Sequence, residues 1–333
     1  MSQQALTAPT RRKGSVTKRM MLVSGGAHPA LAEAIAAHLD TTVAPRTAHV
    51  FANGETFVRF EKSMRGCDVF VLQSFTEPLN TWLMEALITV DALKRASAKR
   101  ITVILPFYPY GRQDKKHRGR EPISARLVSD LFATAGANRL MSVDLHTAQT
   151  QGFFNGPVDH LLAQPLLADH IRRGHPTASI TVVAPDSGRV RLAERWADLL
   201  GGCPIAFIQH RDALHAQHPD ATQIVGDVDG QLCVVVDDMI DTGATMAGAT
   251  RLLLSKGAFS VVAAATHGVF SGDAAEHLAA SGIHQVVVTD TVPIPTTKNF
   301  PQLTVLTIAP LLAKAVCEVF DDGSVTNLFD GHA

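Results

Sequence analysis

The chain alternates short apolar, β-branched runs with segments whose apolar residues recur at helical spacing. Continuous apolar strands separated by helices are typical of a mostly parallel sheet that helices cover on both faces. The pattern occurs twice along 333 residues, so we predict an α/β fold with two doubly wound units. The predicted strands are Met20–Ser24, Asp68–Gln73, Arg100–Pro106, Leu140–Asp144, Ile180–Ala184, Ile205–Ile208, Leu232–Val236, Ser260–Thr266 and Gln285–Thr289.

The helices and the domain limits follow from the same pattern. The predicted helices are Pro29–Leu39, Trp82–Arg95, Ile123–Ala135, Val190–Leu200, Thr245–Lys256, Asp273–Ala280 and Ile308–Phe320. A hairpin is predicted over Ala48–Phe60, because Asn53-Gly54 suits a two-residue turn. The alternation is interrupted near Phe153–Ala163. We predict a disordered basic extension over 1–19, domains over 20–164 and 165–308, and a helix with a tail over 309–333.

The composition excludes several classes of protein. The formal net charge is −1 with histidine taken as neutral, which argues against a nucleic-acid partner bound through a broad basic surface. No apolar run approaches the ~20 residues that a membrane-spanning helix needs. The first 18 residues lack the apolar core of a signal peptide, so a cytoplasmic location is expected. A neutral enzyme that acts on small metabolites fits these features.

The segment from Val234 to Thr245 carries the most chemical information. Asp237 and Asp238 follow three valines, a loop of small residues comes next, and a helix is predicted to begin at Thr245. Such a loop at a helix N terminus presents free backbone N–H groups to an anion. The two carboxylates would repel a phosphate, but ribose hydroxyls or magnesium-bound water would explain them. An aspartate-rich turn that caps a helix is the alternative.

The first half adds a cationic cluster and a histidine at a strand end. Residues 110–120 read Tyr-Gly-Arg-Gln-Asp-Lys-Lys-His-Arg-Gly-Arg. Guanidinium groups bind phosphate oxygens in pairs and lysine acts as a point charge, so the cluster suits a triphosphate. A solvated basic loop is the alternative. His146 lies just after the strand predicted to end at Asp144, where both a structural and a chemical role fit it.

Together these segments resemble the ribose-phosphate pyrophosphokinase family. The matching motifs are Tyr110–Asp114, Arg120–Leu127, Asp144–His146, Gln151–Phe154, Pro157–Leu161 and Val288–Pro293. Type I phosphoribosyltransferases share the loop around Asp241, but they have one domain and lack the motifs of the first half. The resemblance runs from about Met21 to the C terminus, and it implies two type I phosphoribosyltransferase-like domains with mostly parallel sheets.

The resemblance also implies roles for individual residues. It assigns ATP binding to Phe51, Asn53, Glu55, Arg112, Gln113 and Asp114. It assigns ribose-phosphate binding to Asp237, Asp238, Asp241, Thr242, Gly243, Ala244 and Thr245. It places Mg²⁺ at His146 and Asp186. Phe51, Asn53 and Glu55, the hairpin residues of this set, would reach the adenine of a neighbouring subunit. This implies a homo-oligomer, either a dimer or a hexamer built from dimers.

The implied reaction moves the pyrophosphoryl group of ATP to the C1 hydroxyl of ribose 5-phosphate, and it gives phosphoribosyl diphosphate and AMP. The family's catalytic loop departs from its usual pattern here, because His210 stands at a lysine position and Asp212 at an arginine position. A neutral imidazole brings no full charge. We therefore predict His210, Arg211 and Arg189 as the catalytic residues, with either Arg189 or the nearby Arg191 supplying the missing cation.

The same departure leaves two alternatives open. One is a relative that acts on a different ribose-containing acceptor, since the lost arginine lies on the acceptor side. The other is a regulatory homologue with weak activity. His146, Asp186 and the acidic pair are retained, which argues against the second alternative, because an inactive subunit has no need of them.

Overall fold

The computed structural model describes residues 18–210 and 222–329. The strands of its first half are β1 (Met20–Ser24), β2 (Arg46–Val50), β3 (Thr56–Phe60), β4 (Asp68–Leu72), β5 (Arg100–Leu105), β6 (Arg139–Val143) and β7 (Val158–Leu161). The helices of this half are α1 (Pro29–His38), α2 (Leu79–Arg95) and α3 (Ser124–Ala135). Strands β1, β4, β5, β6 and β7 lie side by side in that order as a parallel sheet. Strands β2 and β3 form a separate antiparallel hairpin.

The second half repeats this organisation with a wider sheet. Its strands are β8 (Ile180–Ala184), β9 (Ile205–His210), β10 (Thr222–Val225), β11 (Leu232–Ile240), β12 (Ser260–Gly268), β13 (Gln285–Thr289) and β14 (Leu303–Leu306). Its helices are α4 (Gln164–Gly174), α5 (Val190–Leu199), α6 (Ala244–Ser255), α7 (Ala274–Ala279) and α8 (Ala309–Phe320). The order across the sheet is β10-β9-β8-β11-β12-β13-β14. Every pairing is parallel except that of β10 with β9.

The predicted fold class, two mostly parallel sheets with helices on their faces, is confirmed. The strands are buried as such sheets require, and all five residues of β4 are inaccessible to solvent. One hydrophobic cluster contains buried residues of both sheets, among them Ile104 and Val234, and it includes α1 and α8, which pack against each other. Full burial of an aliphatic side chain stabilises the fold by roughly 1.5–3 kcal/mol, so this cluster holds the two halves together.

The structure differs from the sequence-based expectation at several elements. Strands β7, β10 and β14 and helix α4 were not predicted, because edge strands of four residues and a polar helix have weak periodicity. Strand β7 lies inside the predicted interruption near Phe153–Ala163. Strand β11 continues to Ile240, beyond the predicted end at Val236, so the acidic pair lies within the strand. The domain limits stay a prediction.

The termini of the described region lie together. Lys18 forms an ion pair with Asp322 and donates to the backbone carbonyl of Phe320. The predicted extension over residues 1–19 lies outside the described residues except for Lys18 and Arg19. Across residues 18–210 and 222–329, no helix is long and apolar enough to cross a membrane.

Candidate active site

The carboxyl ends of strands from both sheets converge on one cleft, which has a volume of about 260 Å³. Parallel strands leave their carboxyl ends at a common edge, where α/β proteins bind ligands. Strand β6 leads to His146, β8 leads to Asp186 and β11 contains the acidic pair. The lining residues are Arg112, His146, Asp186, Arg189, Asp237, Asp238, Met239, Ile240, Asp241, Thr242, Gly243, Thr245 and Met246.

The loop between β11 and α6 has the geometry of an anion site. Gly243 immediately precedes α6 with φ of 72°, a left-handed conformation that favours glycine. A Cβ atom at this position would lie 3.0 Å from the carbonyl oxygen of Ala274. Among the described residues no side chain caps α6, so its first N–H groups are free to bind an anion. Ala244 lies apart from the cleft, in a neighbouring apolar pocket that Ile208 and Leu252 also line.

The acidic pair is held by a cation and an imidazole. The Arg189 Nε atom lies 2.7 Å from Asp237 Oδ1, and its Nη2 atom lies 2.5 Å from Asp238 Oδ1. The Nδ1 atom of His146 lies 2.8 Å from Asp238 Oδ2 and 3.2 Å from Arg189 Nη2. Asp238 is buried, whereas the other three side chains are partly exposed to the cleft. The two sheets are therefore bridged at the centre of the site.

The two carboxyl groups of the pair differ in acidity. Burial and the adjacent Asp238 raise the pKa of Asp237 to about 8, although Arg189 opposes this shift. Burial would also raise the pKa of Asp238, but the His146 hydrogen bond and the Arg189 charge outweigh it and lower that pKa well below the usual range. Two neighbouring buried carboxyl groups titrate as a pair. Asp238 is consequently the group that carries the negative charge at neutral pH.

His146 and Asp186 line the same cleft, and both side chains can offer a ligand atom to a metal ion. A His146 Nδ1–H that donates to Asp238 leaves Nε2 as the ring atom available to a metal ion. Asp186 accepts a hydrogen bond from the backbone N–H of Gly188 through Oδ1 at 2.7 Å. In the described part of the chain, no three His, Cys, Asp or Glu side chains are close enough to hold a metal on their own. This fits Mg²⁺, which takes one or two protein ligands and completes its shell with substrate oxygens and water.

The structure separates the three predicted ATP residues that follow Gly111. Arg112 lines the cleft, and its Nη1 atom lies 2.7 Å from Asp241 Oδ2 in the phosphate loop. Gln113 accepts a hydrogen bond from Ser124 Oγ at 2.6 Å. Asp114 is buried and accepts from Thr147 Oγ1 at 2.6 Å. In the described geometry Asp114 therefore supports the residue after His146 and does not face the cleft.

The remaining predicted residues lie away from the cleft or outside the described range. Phe51, Asn53 and Glu55 form the exposed tip of the β2–β3 hairpin, and none of them lines the cleft. His210 is the last residue of β9 and of the first described range. Arg211 lies outside the described residues. Of the three predicted catalytic residues, Arg189 is the one that the structure places in the cleft.

Asp144, a buried residue to which the sequence-based prediction gave no role, anchors the turn that leads to His146. Asp144 has φ of 38°, in the left-handed region that aspartate adopts more readily than most residues. Its carboxylate accepts hydrogen bonds from Thr266 Oγ1 at 2.6 Å, from the Ala163 N–H at 2.8 Å and from Gln164 Nε2 at 3.0 Å. Burial raises its pKa to about 6. Its position directly after a buried strand was the available signal, but its partners are distant in sequence.

His160 supports the same turn and makes the fold sensitive to acid. Its Nε2 atom accepts a hydrogen bond from the Leu145 N–H at 3.0 Å, which requires a neutral ring. Burial, followed by the charges of Arg195 and His267, lowers its pKa to about 4. The folded pKa lies below the ordinary value, so the unfolded chain takes up the proton first as the pH falls below 6.5. The free energy of unfolding should therefore fall between pH 6.5 and 4.

We expect the H160Q variant to flatten this pH dependence, because glutamine can still accept from Leu145 but does not titrate. His160 should account for up to about 3 kcal/mol of the loss between pH 7.5 and 4. Urea denaturation of both proteins at pH 7.5 and 5 measures the effect. Variant H38Q, at an exposed position at the end of α1, is the matched control. An equal difference between wild type and H160Q at both pH values would contradict the prediction.

Comparison with known proteins identifies relatives over nearly the whole chain. Residues 20–136 match the model of the N-terminal domain of ribose phosphate pyrophosphokinase, and residues 206–330 match the phosphoribosyl synthetase-associated domain. The ribose-phosphate pyrophosphokinase of Corynebacterium glutamicum is 61% identical over 95% of this chain and 97% of its own length. That of Mycobacterium leprae is 60% identical over the same shares. The crystal structure of phosphoribosylpyrophosphate synthetase from Mycobacterium smegmatis matches with a TM-score of 0.88 and 60% identity, over 92% of this chain and 100% of that one.

Proposed function

This chain belongs to the ribose-phosphate pyrophosphokinase family, and we propose that ATP and ribose 5-phosphate meet in the cleft described above. The chain catalyses the ATP-dependent formation of phosphoribosyl diphosphate. The observation that carries the proposed location is the uncapped N terminus of α6, which directly follows the acidic pair and faces His146 and Asp186. An anion site beside carboxylates and a half-formed metal site suits a phosphorylated sugar and a polyphosphate.

The ribose 5-phosphate half of the site consists of the phosphate loop and the acidic pair. The 5-phosphate would bind the free N–H groups of α6 and the hydroxyls of Thr242 and Thr245. Asp237 and Asp238 would accept hydrogen bonds from the ribose 2- and 3-hydroxyls. In the described structure the Arg189 guanidinium contacts the carboxylate oxygens that would accept hydrogen bonds from those hydroxyls. Binding of the sugar would therefore release the Arg189 guanidinium toward the polyphosphate.

The ATP half of the site relies on arginine side chains at the cleft. In the transfer, the C1 hydroxyl oxygen bonds to the β-phosphorus, the bond from the β-phosphorus to the α–β bridging oxygen breaks, and AMP leaves. Such reactions depend on alignment and on stabilisation of charge at the moving phosphoryl oxygens. Arg189 and Arg112 are the cations that line the described cleft. We assign to Arg189 the charge that the family obtains from its loop lysine.

His146 and Asp186 would hold magnesium, which would supply neutralisation of phosphate charge. The chain's own part is to orient the ligands. Asp238 fixes the His146 ring, and the turn at Gly188 fixes the Asp186 carboxylate. Ordered ligands of this kind reduce the reorganisation that binding would otherwise require.

We further propose that the protein is a cytoplasmic homo-oligomer, either a dimer or a hexamer built from dimers. The hairpin tip is exposed and lies apart from its own cleft. A role for Phe51, Asn53 and Glu55 at adenine therefore calls for the cleft of a neighbouring subunit. This arrangement would make each site depend on two chains.

Release of AMP from ATP is expected only when both Mg²⁺ and ribose 5-phosphate are present, and an excess of EDTA should abolish it. 2-Deoxyribose 5-phosphate should react roughly 10- to 100-fold more slowly, because the acidic pair loses a hydroxyl donor. Chromatographic assay of AMP with each sugar phosphate measures this. AMP release with another pentose phosphate but not with ribose 5-phosphate would overturn the acceptor. AMP release that is unchanged in EDTA would overturn the magnesium site.

A further inference from the structure

A buried ion pair joins the base of the β2–β3 hairpin to helix α2. The Nη2 atom of Arg46, the first residue of β2, lies 2.5 Å from Glu85 Oε1. The two side chains are 12% and 8% exposed. Glu85 Oε1 also accepts a hydrogen bond from the Gly26 N–H at 2.7 Å, in the turn after β1. The pair therefore links three segments: the hairpin, α2 and the end of the first sheet strand.

The rest of the hairpin is exposed or half-buried. In the described range 46–60 no residue is buried, and the β2 residues after Arg46 are all exposed. Strand β3 packs against α2, and its residues Val58 and Phe60 are half-buried. Apolar packing is not directional, so it leaves the ion pair to set the angle of the hairpin. The Arg46–Glu85 pair is the buried polar link between the hairpin and the body within the described residues.

Stability alone does not explain such a pair. Removing two charges from water costs several kcal/mol per ion, and apolar replacements of similar size are often at least as stable. The Nη1 atom of Arg46 is buried without a hydrogen-bond partner among the described residues, which adds to the cost. Space around Glu85 is also restricted, because a Cβ atom on Gly26 would lie 2.9 Å from Glu85 Oε2. A buried ion pair with this energetic cost is better explained by the position in which it holds the hairpin.

The geometry matters most at the other end of the hairpin. The tip carries a cluster of rings in which His49 lies 4.8 Å from both Phe51 and Phe57, centroid to centroid. Phe51 is five residues beyond Arg46, about 16 Å along an extended strand. A rotation of about 10° at the base would move the ring by about 3 Å. A displacement of that size removes a stacking contact.

We propose that Arg46 and Glu85 are positioning residues for ATP, because their ion pair sets the angle at which the hairpin presents Phe51 to the adenine bound in a neighbouring subunit. The proposal rests on the proposed function of the hairpin tip. The pair touches no substrate and acts through the tip. It therefore affects ATP binding and leaves the ribose 5-phosphate half of the site unchanged.

Variant R46M keeps the aliphatic stem and removes the charge, and E85Q keeps an acceptor for Gly26. We expect either change to raise the KM for ATP about tenfold, which is the value of a lost aromatic stack. The KM for ribose 5-phosphate should stay within about twofold, and R46K should restore part of the ATP affinity. Variant D91N, which breaks an exposed pair with Arg95 on the same helix, is the control and should match wild type. Equal rises in both KM values, or no rise in either, would overturn the proposal.

A second experiment tests action across the subunit boundary. R46M chains are co-expressed with D238N chains, and the mixed oligomers are purified through two different tags. In a mixed dimer one of the two sites then combines an intact cleft with an intact hairpin, and in a larger oligomer with random pairing about a quarter of the sites do. These sites should combine the wild-type KM for ATP with the wild-type kcat, a combination that neither parent has. Activity equal to the average of the two parents would overturn the proposal.

Variant F51A tests the proposed role of the hairpin tip separately from the proposed role of the ion pair. A normal KM for ATP in F51A would refute the proposed function of the hairpin tip. A raised KM in F51A together with a normal KM in R46M and E85Q would refute only the positioning role of the ion pair. Thermal denaturation of each variant shows whether a change in KM reflects loss of folded protein.

Discussion

Replacement of Arg189 by alanine is expected to lower kcat for pyrophosphoryl transfer by about three orders of magnitude. An arginine that stabilises charge on a transferring phosphoryl group contributes roughly 10³ to 10⁵ in rate. Here His210 stands at the family's lysine position and Asp212 at an arginine position, so less charge is available from elsewhere. The guanidinium of Arg189 also contacts the acidic pair and His146, and from this position it can move to the phosphates of the substrate. Initial rates of AMP formation at saturating ATP and ribose 5-phosphate measure the effect.

Two further variants sharpen this test. R189K keeps a charge without the planar pair of donors and should fall between wild type and R189A. Arg191, two residues further along and exposed, does not line the cleft, so R191A should retain nearly full activity. A kcat for R189A within about fivefold of wild type, with only the KM for ribose 5-phosphate raised, would contradict the catalytic role. Arg189 would then be a counter-ion of the acidic pair.

The second large effect is expected at Asp238. The Asp238 side chain contacts both His146 at 2.8 Å and Arg189 at 2.5 Å, whereas the Asp237 side chain contacts Arg189 and accepts from the backbone N–H of Asp238. D238N should therefore lower kcat/KM for ribose 5-phosphate by about 10³-fold, because it loses a charge-assisted hydrogen bond to the sugar and releases two other groups. D237N should cost less than about tenfold at neutral pH, where the raised pKa of Asp237 leaves that carboxyl group largely uncharged and its hydrogen bond to the sugar neutral.

The pH dependence of the D237N defect provides an independent check. The pKa of Asp237 is raised to about 8 in the free protein, so asparagine imitates its neutral form below that pH. The defect should grow as the pH rises from 7 to 9. Steady-state kinetics at several pH values, with D229N at an exposed turn as a control, measures both claims. Equal defects for D237N and D238N at every pH would contradict the assignment of distinct roles.

The sequence predicted the parts of the site that depend on local order along the chain. Gly243 and the loop around it were predicted because a loop of small residues before a helix is typical of an anion-binding site. Helix α6 begins within one residue of the predicted start. His146, Asp186 and the acidic pair were predicted from motifs at strand ends, and the structure brings them into one cleft. Their ligands stay a prediction.

The parts that were not predicted depend on contacts between distant residues. Arg112 and Asp114 are two positions apart, yet Arg112 faces the cleft and Asp114 is buried against Thr147. Asp144 receives a hydrogen bond from Thr266, which is 122 residues away. Strands β7, β10 and β14 have too few buried residues for a periodic signal, and pairing with a neighbour makes them strands.

The sequence by itself determined the α/β fold with its two parallel sheets, because strand and helix periodicity is written locally in the spacing of apolar residues. It also determined the phosphate loop, since backbone donors at a helix N terminus depend on neighbouring residues only. Tertiary structure decided which charged groups meet. Arg189 became the partner of the acidic pair, and Arg46 became the partner of Glu85. Electrostatic energy depends on distance and burial, and both are set when the two sheets and their connecting helices pack together.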